Sequence, residues 1–365
     1  MVSVSETLVF KGDLTDSPVC ISISELLANM DFSGIELTLH EHLNYAQGRR
    51  WKYPPILLLK LLIVKLFRNL SYIRAVNSLS HEDCIFLDLQ KTETGVFLIP
   101  SASTIHDFAY NRLGIPGVEE IMKKVGTIAC MYIRNASGMI DSTPVEAARY
   151  DKYAQYNPHY QCNMYKMHIF HLDKFPLFEI FTEGKAHDNP YTVPLCETVR
   201  LMNPDLKTIK LDAAYDSFLN YAEIWKLFQV FPLIDWRDNA VVHKEGSLEK
   251  IDHWINKKWK EGGDIHAPIE KKLDFLYDMN RKEQVGMYIR NQNIQNSTFK
   301  LEYESRSDCE RTHSHMKRMF TFTVRWIQDR SKEFYMGLNF IAYQMVLLAR
   351  IQQNEPDIQD LSQYI

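Results

Sequence analysis

The sequence predicts an α/β fold in which helices flank a mixed β-sheet, and three observations support this prediction. Between about residues 138 and 238, apolar segments of strand length alternate with amphipathic segments of helix length. The first 130 residues, by contrast, show mostly helix signals. Near the end of the chain, the strongly apolar segment KEFYMGLNFIAYQMVLLARI predicts a long closing helix.

Bulk properties describe an ordinary globular chain. It has 365 residues, enough for two or three domains, of which 45% are hydrophobic and 24% charged. The formal net charge of −4 neither supports nor excludes a nucleic-acid partner, because local basic patches such as 257–260 and 311–318 matter more than the sum.

Cysteine usage and hydropathy predict a cytoplasmic protein. No CxxC pair occurs among the six cysteines, which argues against a disulfide framework or a zinc ribbon and fits a reducing cytosol. The first residues lack the pattern of a signal peptide. The most apolar stretch, PPILLLKLLIVKLF, is interrupted by Lys60 and Lys65 and is shorter than the roughly 20 residues that span a bilayer. We therefore expect no membrane partner. The cysteines are Cys20, Cys84, Cys130, Cys162, Cys196 and Cys309.

Start and stop signals define helices in the first part of the chain. The segment PPILLLKLLIVKLF begins with prolines, which suit a first helical turn, and SYIRAVNSLS begins with a capping serine, Ser71. The segment PSASTIHDFAYNRLG has Ser and Thr at its start and Gly114 as a stop signal. Short successive helices of this kind could form a helix-turn-helix DNA reader or a simple bundle, and the sequence leaves both open.

The middle of the chain supplies the strands. GMIDSTPVEA, YKMHIFHLD and PLFEIFTEG have strand lengths and β-branched or aromatic residues. A helix (PYTVPLCETVRLMN), a strand (LKTIKLDAAYDS), a helix (FLNYAEIWKLFQ) and a buried strand (VFPLIDWRD) follow. A charged, Gly-containing segment then breaks the alternation of strands and helices, which indicates an insertion. We predict five regions: helical 1–130, a core 131–238, an insertion 239–298, core helices 299–352 and a tail 353–365.

Acidic residues at predicted strand ends suggest a metal site. Asp141 ends the first predicted strand and Asp212 the fourth, and ligands commonly bind at such ends. Neighbouring carboxylates repel each other unless a cation lies between them, and Glu310 would complete a set of oxygen ligands for Mg²⁺ or Mn²⁺. Taken alone, however, a strand-end Asp is more often a turn or cap residue.

The segment YESRSDCERTHSHMK carries a polar stripe. At about 100° per residue, Tyr303, Arg306, Glu310 and Lys317 fall within roughly 60° of one helix face. One interpretation is a solvated face with salt bridges. The other is an acid that holds a metal ion, flanked by cations that hold phosphate.

These motifs resemble the DDE transposases of bacterial insertion sequences, in particular the group with a Tyr-(2)-Arg-(3)-Glu-(6)-Lys signature. Residues 303–317 reproduce that spacing without a gap. MIDSTPV and LDAAYDS resemble the two aspartate strands of the family, and the segments around 53–79 and 99–114 resemble its N-terminal helical region. The resemblance covers about 45–350.

The resemblance implies a ribonuclease-H-like core with an insertion before the last catalytic helix. It assigns Asp141, Asp212 and Glu310 as catalytic metal ligands, for two Mg²⁺ or Mn²⁺ ions. In this family Tyr303, Arg306 and Lys317 would contact DNA phosphates. The sequence spacing itself does not establish these roles.

The implied activity is metal-dependent cleavage and strand transfer at the ends of an insertion sequence. The implied partners are double-stranded DNA, as terminal inverted repeats and target, and a second copy of the chain in a homodimer. A bacterial or archaeal cytoplasm, with the protein on the nucleoid when DNA is bound, would be its location. Two alternatives remain: a ribonuclease-H-like endonuclease without strand transfer, and a non-catalytic DNA-binding protein descended from a transposase.

Other residues are assigned less specific roles. The insertion contains aromatic residues that could stack on a flipped base, Trp254, Trp259 and Tyr288, but nothing selects one over core packing. We interpret Asp216 as a helix cap. Cys309, His313 and His315 lack a fourth zinc ligand, and His168 and His171 lie on opposite faces of a strand.

Overall fold

A computed structural model describes residues 21–44, 51–148, 150–236, 253, 267–320, 323–324, 329–361 and 364. A single hydrophobic core contains buried side chains from the first helices, the sheet and the last helix. Cys20, Trp254 and Trp259 lie outside the described residues. All five cysteines within them are free thiols, as the sequence predicts.

The predicted mixed sheet is confirmed, with seven strands in the described residues. The strands are β1 (Ala136–Ala147), β2 (Gln155–Asn157), β3 (Cys162–Leu172), β4 (Phe175–Glu183), β5 (Leu206–Leu211), β6 (Pro232–Ile234) and β7 (Thr323–Val324). β4, β3 and β1 are antiparallel neighbours, whereas β5 pairs with β1 in parallel and β6 with β5. Three antiparallel strands followed by two parallel ones give the ribonuclease-H-like arrangement.

One edge of β1 is only partly paired. β5 covers it as far as the pair Ile140–Leu211, and β7 covers it again from Glu146. The opposite edge pairs with β3 from Gly138 to Glu146. Among the described residues, no strand pairs with this side of β1 between its two parallel partners, and the unpaired stretch begins at Asp141.

Seven α-helices precede the sheet in the described residues: α1 (Ile23–Ala28), α2 (Ser33–His42), α3 (Pro55–Phe67), α4 (Tyr72–Asn77), α5 (His81–Phe86), α6 (Ala102–Asp107) and α7 (Gly114–Tyr132). Pro55 lies in the first turn of α3, and the hydroxyls of Ser71 and Ser101 cap α4 and α6 as predicted. Gly114 is the C-cap residue of the helical segment before it, as predicted. A π-helical segment, Phe108–Leu113, leads directly into α7, and Gly114 adopts φ +59°, which glycine allows without strain.

The remaining helices are α8 (Thr192–Arg200), α9 (Phe218–Phe228), α10 (Ile269–Asp278), α11 (Lys282–Gln295), α12 (Phe299–Tyr303), α13 (Asp308–Met319) and α14 (Asp329–Gln352). The part of α14 from Lys332 to Gln352 is long and apolar enough to cross a membrane, but 89% of its most apolar window is buried inside the protein. It packs against α7 and β4, and the Gln344 amide donates to the carbonyls of Pro176 and Leu177. This is the environment of a core helix.

α11 is fixed closely to α9. A Cβ at Gly286 would lie 1.9 Å from the carbonyl oxygen of Phe218, so only glycine permits this approach. Arg290 on α11 donates from Nε and Nη2 to the two carboxylate oxygens of Asp216, at 2.9 and 3.0 Å. The interpretation of Asp216 as a helix cap was therefore wrong: Ser217 is the N-cap residue of α9, and Asp216 forms a buried ion pair.

Candidate active site

Asp141 lies within β1, not at its end as predicted. β1 continues to Ala147 because β3 pairs with it beyond Asp141. The parallel partner β5 stops at Leu211, opposite Ile140, so Asp141 is the first residue beyond the β1–β5 pairing. Functionally this remains the carboxyl end of the parallel part of the sheet, where side chains are held rigidly beside an open edge.

Asp212 follows directly after β5, as predicted. Its Oδ1 accepts a hydrogen bond from the backbone N–H of Ala214 at 2.8 Å, and it caps a short 3₁₀ turn at Ala213–Tyr215. Because β5 is parallel to β1 and ends opposite Ile140, this geometry brings Asp212 beside Asp141.

The segment predicted as one helix is divided into two. α12 ends at Tyr303, a 3₁₀ turn covers Glu304–Ser307, and α13 begins at Asp308. A 3₁₀ turn winds more tightly than an α-helix, so the angular register of Tyr303 differs from that of the residues after it.

The predicted polar stripe therefore splits. Arg306, Glu310 and Lys317 line one cleft, whereas Tyr303 is not among the residues that line it. The Tyr303 hydroxyl instead donates to the carbonyl of Leu211 at 3.0 Å, and its ring stacks on Phe299. Tyr303 thus attaches the turn to the end of β5.

Three carboxylates from distant parts of the chain converge on the Arg306 guanidinium. Nη2 donates to Oδ1 of Asp141 and to Oδ2 of Asp212, at 3.1 Å each. Nη1 donates to Oε1 of Glu310 at 2.7 Å. The side chain of Asp141 is 12% exposed and that of Glu310 is 60% exposed, so the cluster runs from the interior to the surface.

Burial and mutual repulsion destabilise the charged forms of the two aspartates. Burial raises the pKa of Asp141 to about 6; Arg306 opposes this shift, and Asp212 adds to it. Burial also raises the pKa of Asp212, again against the effect of Arg306. Burial would lower the pKa of Arg306, but the surrounding acids, Asp141 foremost, raise it above its usual value. The site therefore favours a cation strongly.

Beneath Asp141 lie neutral groups that the sequence analysis did not place in the site. The Cys309 thiol donates to Oδ2 of Asp141 at 3.6 Å, and Nδ1 of His313 lies 3.7 Å from the same oxygen. Nε2 of His313 is 2.9 Å from Nε2 of His171. Burial lowers the pKa of His313 well below its usual value, so this imidazole is uncharged at neutral pH. His313 lies three residues after Glu310, and this helical spacing could have indicated from the sequence that the two side chains lie on the same side of α13.

A zinc site formed by Cys309, His313 and His315 is excluded by geometry as well as by the number of ligands. His315 points away from the other two residues and contacts the Tyr343 hydroxyl through Nδ1 at 2.8 Å. As predicted, His168 and His171 have separate surroundings: Asp188 and Thr182 contact the first, and His313 contacts the second.

An open cleft of about 470 Å³ gives access to the acids. Tyr160, Ser142 and Ser314 line it beside the predicted residues, and the sequence gave no signal for them. Lys317 lines the cleft as well; burial lowers the pKa of its ammonium group, while Glu146 and the Cys162 thiol act in the opposite direction. The cleft therefore places two cationic side chains, Arg306 and Lys317, beside the carboxylates, where they could bind a polyanion.

The donor set fits a hard divalent cation. All three side chains offer carboxylate oxygens, which Mg²⁺ and Mn²⁺ prefer. The bonded oxygens of Asp141 and Asp212 share one nitrogen, so they lie no more than two hydrogen-bond lengths apart. In the described residues, no three acidic, histidine or cysteine side chains are placed to hold a metal ion together. The guanidinium of Arg306 lies between the three carboxylates and supplies the positive charge there.

Residues 137–345 match the protein family described as the transposase DDE domain, and the matched segment contains Asp141, Asp212 and Glu310. Because this match covers more than half of the chain, the protein belongs to the DDE transposase family and is a DNA transposase.

Among solved structures, the chain is similar to a piggyBac transposase synaptic complex with hairpin DNA, determined by cryo-EM. The sequences are 10% identical, the alignment covers 92% of this chain and 82% of the other, and the TM-score is 0.32. A likeness of that size carries no argument about the site. No curated protein matches the chain in sequence.

Proposed function

We propose that this transposase cleaves DNA at the ends of an insertion sequence and transfers the freed 3′ ends to target DNA. The observation that carries the proposal is the convergence of Asp141, Asp212 and Glu310 on one cationic group. Three carboxylates brought together from β1, the end of β5 and α13 repel one another when charged, and a cation between them offsets this repulsion. Such a cluster of carboxylates suits the metal ions that assist phosphodiester cleavage.

The three carboxylates would hold Mg²⁺ or Mn²⁺, with two ions as the proposed number. Such ions supply the Lewis acidity that activates an attacking water or 3′-hydroxyl and stabilises the leaving oxygen. The protein contributes the positions of the ligands: β1 and the end of β5 fix the two aspartates, while the exposed Glu310 is free to adjust.

Arg306 and Lys317 would bind phosphates of the DNA end. Both line the cleft beside the acids, and a planar guanidinium suits forked contacts to phosphate. Arg306 would exchange its carboxylate partners for phosphate oxygens when DNA and metal ions enter. Tyr303 remains a proposed phosphate contact, but its hydroxyl must first leave the carbonyl of Leu211.

We further propose the wider assembly that the resemblance implies. Double-stranded DNA, as terminal repeats and target, would bind along the cleft, with the helices before β1 as the DNA-binding region. Two copies would form a homodimer on paired ends, in the cytoplasm and on the nucleoid of a bacterium or archaeon. The Tyr-Arg-Glu-Lys group and the five proposed regions of the chain belong to the same proposal.

Incubation with labelled terminal-repeat DNA, target plasmid and Mg²⁺ tests this function. Joined products that require all three acids support a transposase with strand transfer. Cleaved but never joined DNA would indicate an endonuclease, and binding without cleavage would indicate a DNA-binding descendant.

A further inference from the structure

A buried glutamate two strands away from Asp141, in a pocket that shares no lining residue with the acidic cleft, has no hydrogen-bond or ion-pair partner among the described residues. Glu179 lies in the middle of β4, opposite Ile169 of β3, and is only 7% exposed. Its Oε2 is buried and forms no hydrogen bond within the part of the chain that the structure describes. Buried carboxyl groups are nearly always hydrogen-bonded or ion-paired, so this side chain requires an explanation.

Glu179 lines a pocket of about 270 Å³ between α7, β4, α8 and α14. Most of the wall is apolar, with Val118 and Met122 from α7, Phe178 from β4 and Phe334 from α14. Gly337 of α14 lies beside the carboxyl group and close to α7: a Cβ there would lie 3.9 Å from Oε1 of Glu179 and only 2.8 Å from Cγ1 of Val118. The pocket therefore combines apolar walls with a carboxyl group in its lining.

Two more glutamates, Glu119 of α7 and Glu333 of α14, line the same pocket. A lysine of α7, Lys123, is bound to Glu119 at 2.5 Å and lies over the Phe178 ring. No described ion pair or hydrogen bond links any cation to Glu179. Three carboxyl groups thus border a small apolar space, and a positive charge inside it would be attracted to Glu179, whose Oε2 has no hydrogen-bond partner among the described residues.

We propose that this pocket binds an aliphatic cation, an alkylguanidinium or alkylammonium group, whose charge pairs with Glu179 and whose chain packs against the apolar wall. The volume suits one such group, either a free small molecule or an arginine or lysine side chain of a partner protein. This pocket shares no lining residue with the proposed catalytic cluster. A negative result in the ligand-binding test would therefore not count against the proposed DNA cleavage, and the reverse also holds.

The competing explanation is a glutamate that stays protonated and has no ligand. Burial raises the pKa of Glu179 to about 8, with further contributions from Glu333 and Glu119, so the unliganded side chain is neutral at pH 7. A neutral carboxyl explains the absence of a charge partner, but it leaves a buried hydrogen-bonding oxygen unsatisfied and does not explain the open apolar space beside it.

A matched pair of ligands separates the two explanations. n-Butylguanidinium and n-butylurea have almost the same shape, but only the first is charged. For the full-length protein at pH 8, isothermal titration calorimetry should give a dissociation constant on the order of 1 mM for the guanidinium. We expect the urea to bind at least about tenfold more weakly, because charge pairing is lost.

The variant Glu179→Gln keeps the shape of the side chain and removes its charge. It should abolish the preference for the cation, whereas the control Glu183→Gln, at the exposed end of the same strand, should keep it. Equal binding of the two ligands, no binding of the guanidinium, or an unchanged preference in Glu179→Gln would each overturn the proposal. Because the ligand comparison uses the unmodified protein, it remains decisive even if the variant folds poorly.

A third ligand identifies the source of the cation. N-acetyl-arginine methylamide carries the same group on a peptide backbone. Binding as tight as that of n-butylguanidinium supports a side chain of a partner protein. Binding of n-butylguanidinium alone supports a small free ligand, because the backbone then prevents entry.

Discussion

Nη2 of Arg306 donates a hydrogen bond to Oδ1 of Asp141 at 3.1 Å, although the two residues are 165 positions apart in the chain. The same guanidinium also contacts Asp212 and Glu310. A side chain that the family resemblance assigns to DNA phosphate is thus bound to the proposed metal ligands. Under the proposed function, metal ions and Arg306 would compete for the same oxygens, and DNA phosphates would offer the displaced guanidinium a new partner.

Replacement of each proposed metal ligand should abolish cleavage. We expect Asp141→Asn, Asp212→Asn and Glu310→Gln each to lower the rate of end cleavage at least about 1,000-fold, because ion binding and charge stabilisation are lost together. Single-turnover cleavage of labelled end DNA measures the rate, and gel-shift titration should show end binding within about threefold of the unmodified protein.

The matched control for these variants is Asp308→Asn. Asp308 lies on α13 two residues before Glu310, but it pairs with Arg311 and does not line the cleft. It should retain cleavage. Normal cleavage by any of the three ligand variants would remove that residue from the site.

Removal of the Arg306 charge should have opposite effects on metal and DNA. In Arg306→Met, the three carboxylates no longer bind a guanidinium, and their oxygens are free for a metal ion. Mn²⁺ should therefore bind the DNA-free protein about tenfold more tightly. End-DNA affinity should fall about tenfold because a phosphate contact is lost. Mn²⁺ binding is measured by electron paramagnetic resonance, which needs no active enzyme.

Arg311→Met is the control, since Arg311 is 69% exposed and contacts Asp308 instead of the three acids. It should leave Mn²⁺ affinity unchanged. Weaker Mn²⁺ binding in Arg306→Met would show that the arginine organises the acids and does not compete with the metal.

The ion pair between Asp216 and Arg290 should be important for stability. Both side chains are less than a tenth exposed, so Asp216→Asn removes the charge of one partner from a buried ion pair. We expect a loss of about 3 kcal/mol in the free energy of unfolding, measured by urea denaturation.

A surface ion pair in the same region provides the comparison. Lys226 of α9 contacts Asp278 of α10, whose side chain is 68% exposed. Lys226→Met should cost less than about 1 kcal/mol. Equal losses for the two variants would contradict the role assigned to burial.

Glu179 should make stability depend on pH when no ligand is bound. Its pKa is about 8 in the folded chain and 4.5 ordinarily, so between these values the folded state holds a proton that the unfolded state has released. Stability from this group is complete below about pH 4.5 and is lost as pH rises towards 8.

The variant Glu179→Gln cannot lose this proton. Its free energy of unfolding relative to the unmodified protein should therefore rise by roughly 1.4 kcal/mol per pH unit between pH 5 and 8. Urea denaturation at four pH values measures the slope. A difference that stays constant across this range would mean that Glu179 is not held protonated.

Local patterns were enough to predict most elements. Prolines at the start of α3 and serine caps at α4 and α6 act within one helical turn, and the apolar runs of β1, β3 and β4 reflect burial on the sheet. The mixed sheet and the position of Asp212 after β5 were also predictable, because strand ends are visible as changes in composition. Gly114 was predictable as a stop signal because a positive φ costs glycine little, although the next helix follows at once.

By itself, the sequence determined the family, the elements and the spacing of Tyr303, Arg306, Glu310 and Lys317, since these depend on neighbours along the chain. Only the tertiary structure decided that Asp141 lies inside a strand, that a 3₁₀ turn separates Tyr303 from the cleft, and that Asp216 pairs with Arg290. It also decided that Glu179 is buried with no hydrogen bond to its Oε2 from any described residue. Each of these facts depends on which distant segments lie together. Burial and charge pairing are set by that packing, and no local pattern encodes it.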